Sequence, residues 1–489
     1  MFRSTIRLLK SGVRFALGKL GYGLIRLPKD SPVSPASQAA GVDQGQSGAE
    51  SKNTRSPGEK DAFAPVAAEV AAIRKLKQKA FEQTVHRHGD DLGLDFLEPF
   101  KTLVHLQHEY RQNLKSNLPA VRIIGRDWLQ NIGQIAHLDI YFKLKALGML
   151  EPSETIICLD GTTSVNQSLL SYYAPFASRI VPNKIILGEL ADYMELLEES
   201  TVTVRLADGR AEHLHSLLYE VAEAWQRQGR PPLVSLRPAH RAEGRRWLSS
   251  LGLPEEDWFV TFHCRTTVGH QDLRSVRPET YTRAMEAVIR AGGWVVCMGT
   301  PKLVDAHPKI INRGDHVTPG DDWKDVFLLA DCRFFVGCTS GPADVVNAFG
   351  VPSIEVNTLQ IGQQAAHNHD LFIPKLFLSR RSGRMLTMEE ILEHVGTACG
   401  SQTSQLDALG VDIIDNTPEE IEAVVCEMME RLNGTATAPT PQEEAAQQRL
   451  REYRQIATVG HGPIMAGKSR MGRDFLQRHG SALGLVNSA

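Results

Sequence analysis

Two short stretches carry side chains that could do chemistry at spacings that bring them together. His263-x-Arg265 closes the apolar run Trp258 to Phe262, and Thr339-Ser340-Gly341 follows the apolar run Arg333 to Val336. An arginine fork binds phosphate oxygens bidentately and stays charged at any working pH. Arg274 and Arg277 follow in the loop beyond Arg265. A Thr-Ser-Gly turn ahead of a helix offers free backbone N–H groups, a hydroxyl and the positive end of the helix dipole. Gly341 permits close approach, and Pro342 suits a first helical turn. Together these make an anion site suited to a diphosphate. Taken singly, each piece has a plainer reading. Ser or Thr before a helix is commonly only an N-cap, Arg277 can pair with Glu279, and a lone histidine at a strand end more often bonds to backbone.

The elements that must position these residues follow from pattern. Both apolar runs are short and rich in aromatic and β-branched residues, as buried parallel strands are. Ligands of open α/β sheets bind just beyond the carboxyl ends of the strands, so both turns point into one crevice. Strand-like and helix-like pieces alternate from Val121 onward. Strands are expected at 121–125, 155–159, 179–182 and 232–236, with helices at 132–147, 165–173, 190–198, 213–228 and 241–251. A second series puts strands at 258–262, 294–298, 333–336 and 352–356, with helices at 278–291, 323–330 and 343–349. Such alternation predicts an α/β fold of two Rossmann-like domains facing a cleft, divided near residues 248–257. Gly299, Glu355 and Asn357 stand at strand ends and are candidates to contact a ribose or base.

Other stretches bound what remains. The 489 residues exceed one core, and an apolar share of 42% with 23% charged is ordinary for a globular protein. A net charge of −3 and a pI near 6.6 give no basic field, which argues against nucleic acid. Seven cysteines without C-x-x-C pairs read as reduced intracellular thiols. No apolar run reaches the roughly 18 residues of a membrane span. Residues 1–30 carry seven Lys/Arg against one acid, with Phe2, Ile6, Leu9, Val13, Leu17 and Leu20 at helical steps. That is a basic amphipathic helix suited to an anionic membrane surface. Residues 31–62 are rich in Ser, Pro, Gly and Gln and read as a flexible linker. The expected division is then 63–248 for the first domain with its leading helices, 249–400 for the second, and 401–489 for a helical carboxyl-terminal extension. P-loop, dinucleotide, G-x-S-x-G and H-E-x-x-H motifs are absent. With no D-x-D either, a bound diphosphate would be neutralised by arginines and a helix dipole without metal. His367-Asn368-His369-Asp370 holds ligating residue types, but it and residues 370–375 are assigned to loops near the cleft.

The segments "FVTFHCR", "LRSVRPETY", "VVCMGTP", "DVFLLADCRFFVGCTSG" and "FGVPSIEVN" resemble a family of bacterial glycosyltransferases of the GT-B type. That family is distantly similar to heptosyltransferases and O-fucosyltransferases, and the resemblance covers roughly residues 120 to 485. It implies a nucleotide-sugar donor held by the second domain and a glycan or lipid-linked acceptor on the first, on the cytoplasmic face of a membrane. No cofactor beyond the nucleotide-sugar co-substrate is implied. His263 and Arg265 match the family's His-x-Arg, Arg274 its loop arginine, and Thr339-Ser340-Gly341 its hydroxyl-rich turn. "IGQIAHLDIYF" resembles the family's acceptor-side turn, which implies acceptor-side roles for Gly133, His137 and Asp139, the last two as candidates for general base. The sequence departs from the pattern at Cys338 and at Gln134, where the family often has His. A sugar-nucleotide epimerase on the same double fold and a non-catalytic membrane-tethered scaffold are the alternatives.

Overall fold

In the first lobe, strands β1 (Ala120–Ile124), β2 (Ser153–Cys158) and β3 (Arg179–Val181) form a parallel sheet in that order. The computed structural model describes residues 120–486, apart from 125–127, 130, 159–165, 182–202, 267–272, 300–306, 360–366, 392–402 and 457–467. The amphipathic helix expected at 1–30, the linker at 31–62, the leading helices and the helix at 190–198 lie outside the described residues. Helix α1 (Ile132–Ala146) follows β1, started by Asn131, whose side chain accepts a bond from the Gln134 N–H at 3.0 Å. Helices α2 (Gln167–Tyr173), α3 (Leu218–Arg227) and α4 (Pro238–Ser250) and the antiparallel hairpin β4 (Thr203–Arg205) to β5 (Ala211–His213) complete the described part of this lobe. The strand expected at 232–236 does not form. Pro231 and Pro232 bring no N–H to a ladder, and Val234 and Leu236 reach the core from an unpaired segment.

The second lobe is built on β6 (Phe259–His263), β7 (Trp294–Met298), β8 (Ile310–Asn312), β9 (Phe335–Gly337), β10 (Ser353–Thr358) and β11 (Leu371–Pro374). With a late strand β14 (Arg470–Met471) they form a seven-stranded parallel sheet ordered β14-β11-β10-β9-β6-β7-β8. The chain runs outward from β6 to β8, then returns to the other side of β6 with β9. The order therefore reverses between β6 and β9, the switch point at which doubly wound sheets leave a crevice. Helix α5 (Thr282–Arg290) covers one face of the sheet, and α6 (Asp322–Ala330) and α7 (Gly341–Phe349) cover the other.

Residues 370–375, expected as a loop, instead supply β11 in the buried interior of this sheet. The segment 401–489, expected as a helical extension, is woven into the same lobe. It provides α8 (Thr403–Leu409), β13 (Val411–Ile414), α9 (Pro418–Asn433), α10 (Pro441–Ile456), β14 and α11 (Arg473–His479). β13 pairs antiparallel with β12 (Leu376–Ser379), while Ile421, Val425, Met428, Phe475 and Leu476 join the core under α5. At about 2–3 kcal/mol per large apolar side chain removed from water, this packing welds the segment to the sheet. None of the described helices is long and apolar enough to cross a membrane.

A second core joins the lobes. Side chains of α1, α2 and α4 and residues of α6 and α7 belong to one continuous apolar cluster. Gly244 lets α4 settle on α6, since a Cβ there would run into the Phe327 ring. Polar ties cross the same seam: the Ser168 N–H donates to an Asp322 carboxylate oxygen at 3.0 Å, and Asn166 Nδ2 donates to the Asp322 carbonyl at 3.2 Å.

Candidate functional site

The carboxyl ends of β6 and β9 lie side by side, with His263 opposite Gly337 in the register. Gly337 is needed for that approach, because a Cβ on it would lie 3.2 Å from the His263 carbonyl oxygen and would overlap the Phe335 ring. One residue on, the Arg265 N–H donates to Cys338 Sγ at 3.3 Å, and the Arg265 carbonyl accepts from the Val276 N–H at 2.9 Å. The second bond carries the chain from Arg265 back past Arg274, so the two arginines lie on one folded loop. Both are half-buried, whereas Arg277 is exposed.

Ser340 occupies the N-cap position of α7 with extended backbone, yet its hydroxyl makes no bond to that helix. Instead Ser340 Oγ meets His263 Nδ1 at 3.1 Å. The first N–H groups of α7 thus lack the side-chain cap that commonly occupies them. Burial, and then the neighbouring Arg265 charge, push the His263 imidazole down to about 4. It is neutral at physiological pH and can bond through one nitrogen while donating or accepting at the other. Gly299, at φ 92°, would place a Cβ 3.5 Å from His263 Nε2, so this residue lies beside that edge of the ring. The neighbouring thiols are not nucleophiles at neutral pH, since burial raises Cys264 to about 12 and Cys338 to about 11.

The His263 shift has a measurable sign. Its folded value lies below the ordinary 6.5, so between those limits the unfolded chain binds the extra proton and stability falls as pH drops. Melting scans from pH 7 to 4.5 are expected to show a steeper loss for the parent chain than for His263→Gln. Parallel curves would show that the imidazole protonates without strain.

From the first lobe, the start of α1 meets the start of α7 backbone to backbone. A Cβ on Gly133 would lie 2.6 Å from the Gly341 Cα, and one on Gly341 would lie 2.8 Å from the Gly133 nitrogen. Two helix N-termini therefore converge beside the His263–Ser340 pair. The crevice expected between the domains is closed at this contact.

His137 and Asp139 lie farther along α1 and line a separate cavity of about 40 Å³ with Lys143, Asp344, Asn347 and His367. Asp139 is bridged to Lys143 at 2.5 Å, and burial raises its carboxyl above the usual range. Glu355 and Asn357 are among the residues expected to contact a nucleoside. Both are buried, and Asn357 is committed to the chain itself. It sits at φ 54°, a left-handed conformation that asparagine tolerates better than most residues. Its N–H and Oδ1 pair with Oδ1 and N–H of Asn416 at 2.6 and 2.7 Å. Asp370 likewise serves the fold, accepting from Ser353 N–H and Oγ and from the His367 N–H. Asp344, in the first turn of α7, carried no signal in the sequence beyond an acid suited to a helix start. Burial alone pushes its carboxyl up to about 7.

No family model matches the chain, and no curated protein matches it. Among solved structures it is similar to the glycosyl transferase family 9 structure from Veillonella parvula DSM 2008, at 14% identity over 49% of this chain and 81% of that one, with a TM-score of 0.32. It is also similar to ADP-heptose LPS heptosyltransferase II of E. coli (14% identity, 51% of this chain and 79% of that one, TM-score 0.24). A third likeness is to the S. aureus MnaA–UDP co-structure (10% identity, 64% and 84%, TM-score 0.19). At TM-scores this low the likenesses carry nothing about the chemistry of this chain, which rests on its own residues.

Proposed function

We propose that this chain is a GT-B-type glycosyltransferase that moves a sugar from a nucleoside-diphosphate donor to a hydroxyl of an envelope or surface glycan. The observation that carries the reading is the pairing of His263 with Ser340 at the sheet's switch point. It turns the N-cap hydroxyl away from its helix and leaves no side chain on the α7 amides, of which Pro342 supplies none and Ala343 bonds the Ser340 carbonyl. In this reading the diphosphate lies across those amides, with Thr339, Ser340 and Gly341 lining it. Arg265 and Arg274 neutralise the charge that grows on the departing oxygen, so the transfer runs without a metal. Groups preorganised around a developing charge are worth several kcal/mol each in a site shielded from water. His263, neutral, orients a phosphate oxygen through Nε2. As the bond from the anomeric carbon to the phosphate oxygen breaks, the acceptor oxygen bonds to that carbon and its proton passes to a base at the seam. His137 and Asp139 are the first-lobe candidates for that base.

Calorimetric titration of the full chain with UDP, GDP, ADP and CMP tests the reading. One nucleoside diphosphate is expected to bind with a micromolar dissociation constant. A chain that binds none of them, nor inorganic pyrophosphate, has no such site.

A further inference from the structure

The cavity behind the two helix starts, lined by the base candidates His137 and Asp139, is also lined by Asp344, for which the transfer step has no use. Three polar groups lie near one another here. Asp139 is 7% exposed, and its Oδ1 has no hydrogen-bond partner. Tyr173 is fully buried, and its hydroxyl also has no partner. Asp344 lines the same cavity, with Oδ2 3.0 Å from where a Cβ on Gly133 would stand. The charges of Asp139 and Asp344 both act on the Tyr173 hydroxyl, after burial itself, so the three groups are near neighbours. The charged and titratable groups facing Asp344 are His137, Asp139 and Lys143 from α1, Tyr173 from α2 and His367 from the turn before β11. From α3 only Leu218, Val221 and Ala222 line the cavity. Lys143 is already bridged to Asp139. Among the described residues Asp344 thus has no cation of its own, and the cavity has room for only a water or two.

Asp344 also occupies a particular place on its helix. It is three residues after Gly341, in the first turn of α7, directly behind the amides at the helix start. A carboxylate there competes with an incoming anion for the same positive end of the dipole. A neutral carboxyl does not.

We propose that Asp344 couples proton uptake to anion binding at the start of α7, so that a diphosphate enters only as this carboxyl takes up a proton. This rests on the diphosphate site proposed above. Burial has already brought the carboxyl to about 7, so near neutral pH the free protein holds a mixture of both forms. An anion arriving one turn away raises that value further by like-charge repulsion. Linkage then requires the affinity to fall as pH rises through this range.

The test is calorimetry of the full chain with ADP, GDP and UDP at pH 7 in two buffers of different ionisation enthalpy, repeated from pH 6 to 8. The parent chain is expected to take up about half a proton per nucleotide bound at pH 7, and to lose on the order of tenfold in affinity between pH 6 and 8 relative to Asp344→Asn. The nucleotide's own phosphate titrates identically in both proteins and cancels in that comparison. Proton uptake by the parent chain no greater than that of Asp344→Asn overturns the coupling and leaves the diphosphate site standing. The same pH dependence in Asp344→Asn, or in Asp344→Ser should the amide fail to fold, also overturns it. Binding of none of the nucleotides overturns the site and the coupling together.

Discussion

Arg265→Ala is expected to weaken nucleoside-diphosphate binding by on the order of a hundredfold, while the melting temperature moves by no more than a degree or two. A bidentate guanidinium–phosphate pair is among the stronger single contacts available, about 1.5–3 kcal/mol before any share in the transition state. Two structural bonds of residue 265 are made by its backbone. Its N–H holds Cys338 Sγ and its carbonyl holds Val276, and an alanine keeps both. Calorimetry beside a thermal scan separates the outcomes: a large fall in melting temperature would make the guanidinium a structural group. Arg265→Lys should recover only part of the loss, because an ammonium cannot form the planar fork.

Gly133→Ala is expected to destabilise the chain by about 3 kcal/mol, the upper range for overpacking a tight contact. That amounts to a fall of roughly 4 °C in melting temperature for a unit of this size. In most helices the same exchange stabilises by about 0.5–1 kcal/mol, since alanine loses less backbone entropy on folding. Here the new methyl would stand 2.6 Å from the Gly341 Cα and 3.0 Å from Asp344 Oδ2. The first of these neighbours is backbone and cannot rotate away, so the sign reverses. A melting temperature unchanged or raised would mean that the helix starts part at little cost, and that the seam is looser than its geometry.

The switch point between β6 and β9 was legible because its strands are short, apolar and followed by polar turns, all within local windows. His263, Arg265 and Ser340 were legible for the same reason. Residues 370–375 were misread because a run of four apolar residues between Asp370 and Lys375 looks like a loop with charged ends. Those charges are tolerated in the interior through partners far along the chain: Ser353 for Asp370, and Asp415 with the Ser275 carbonyl for Lys375. No local pattern can show such a partner. The pairing of Asn357 was hidden for a related reason, since its mate Asn416 lies in a segment that looked like an appendage. Asp344 was invisible as a special group because an acid in a first helical turn is ordinary. Its surroundings arise only when Gly133 brings α1 against α7.

The place of β14 at the sheet edge has a consequence for how the polypeptide is made. Translation must pass Met471 before the outermost rung of the sheet exists, and Leu485 before the last apolar contacts beneath α9 are in place. A message stopped short of codon 470 would leave the flank of β11 as a bare edge, open to pairing with another nascent chain.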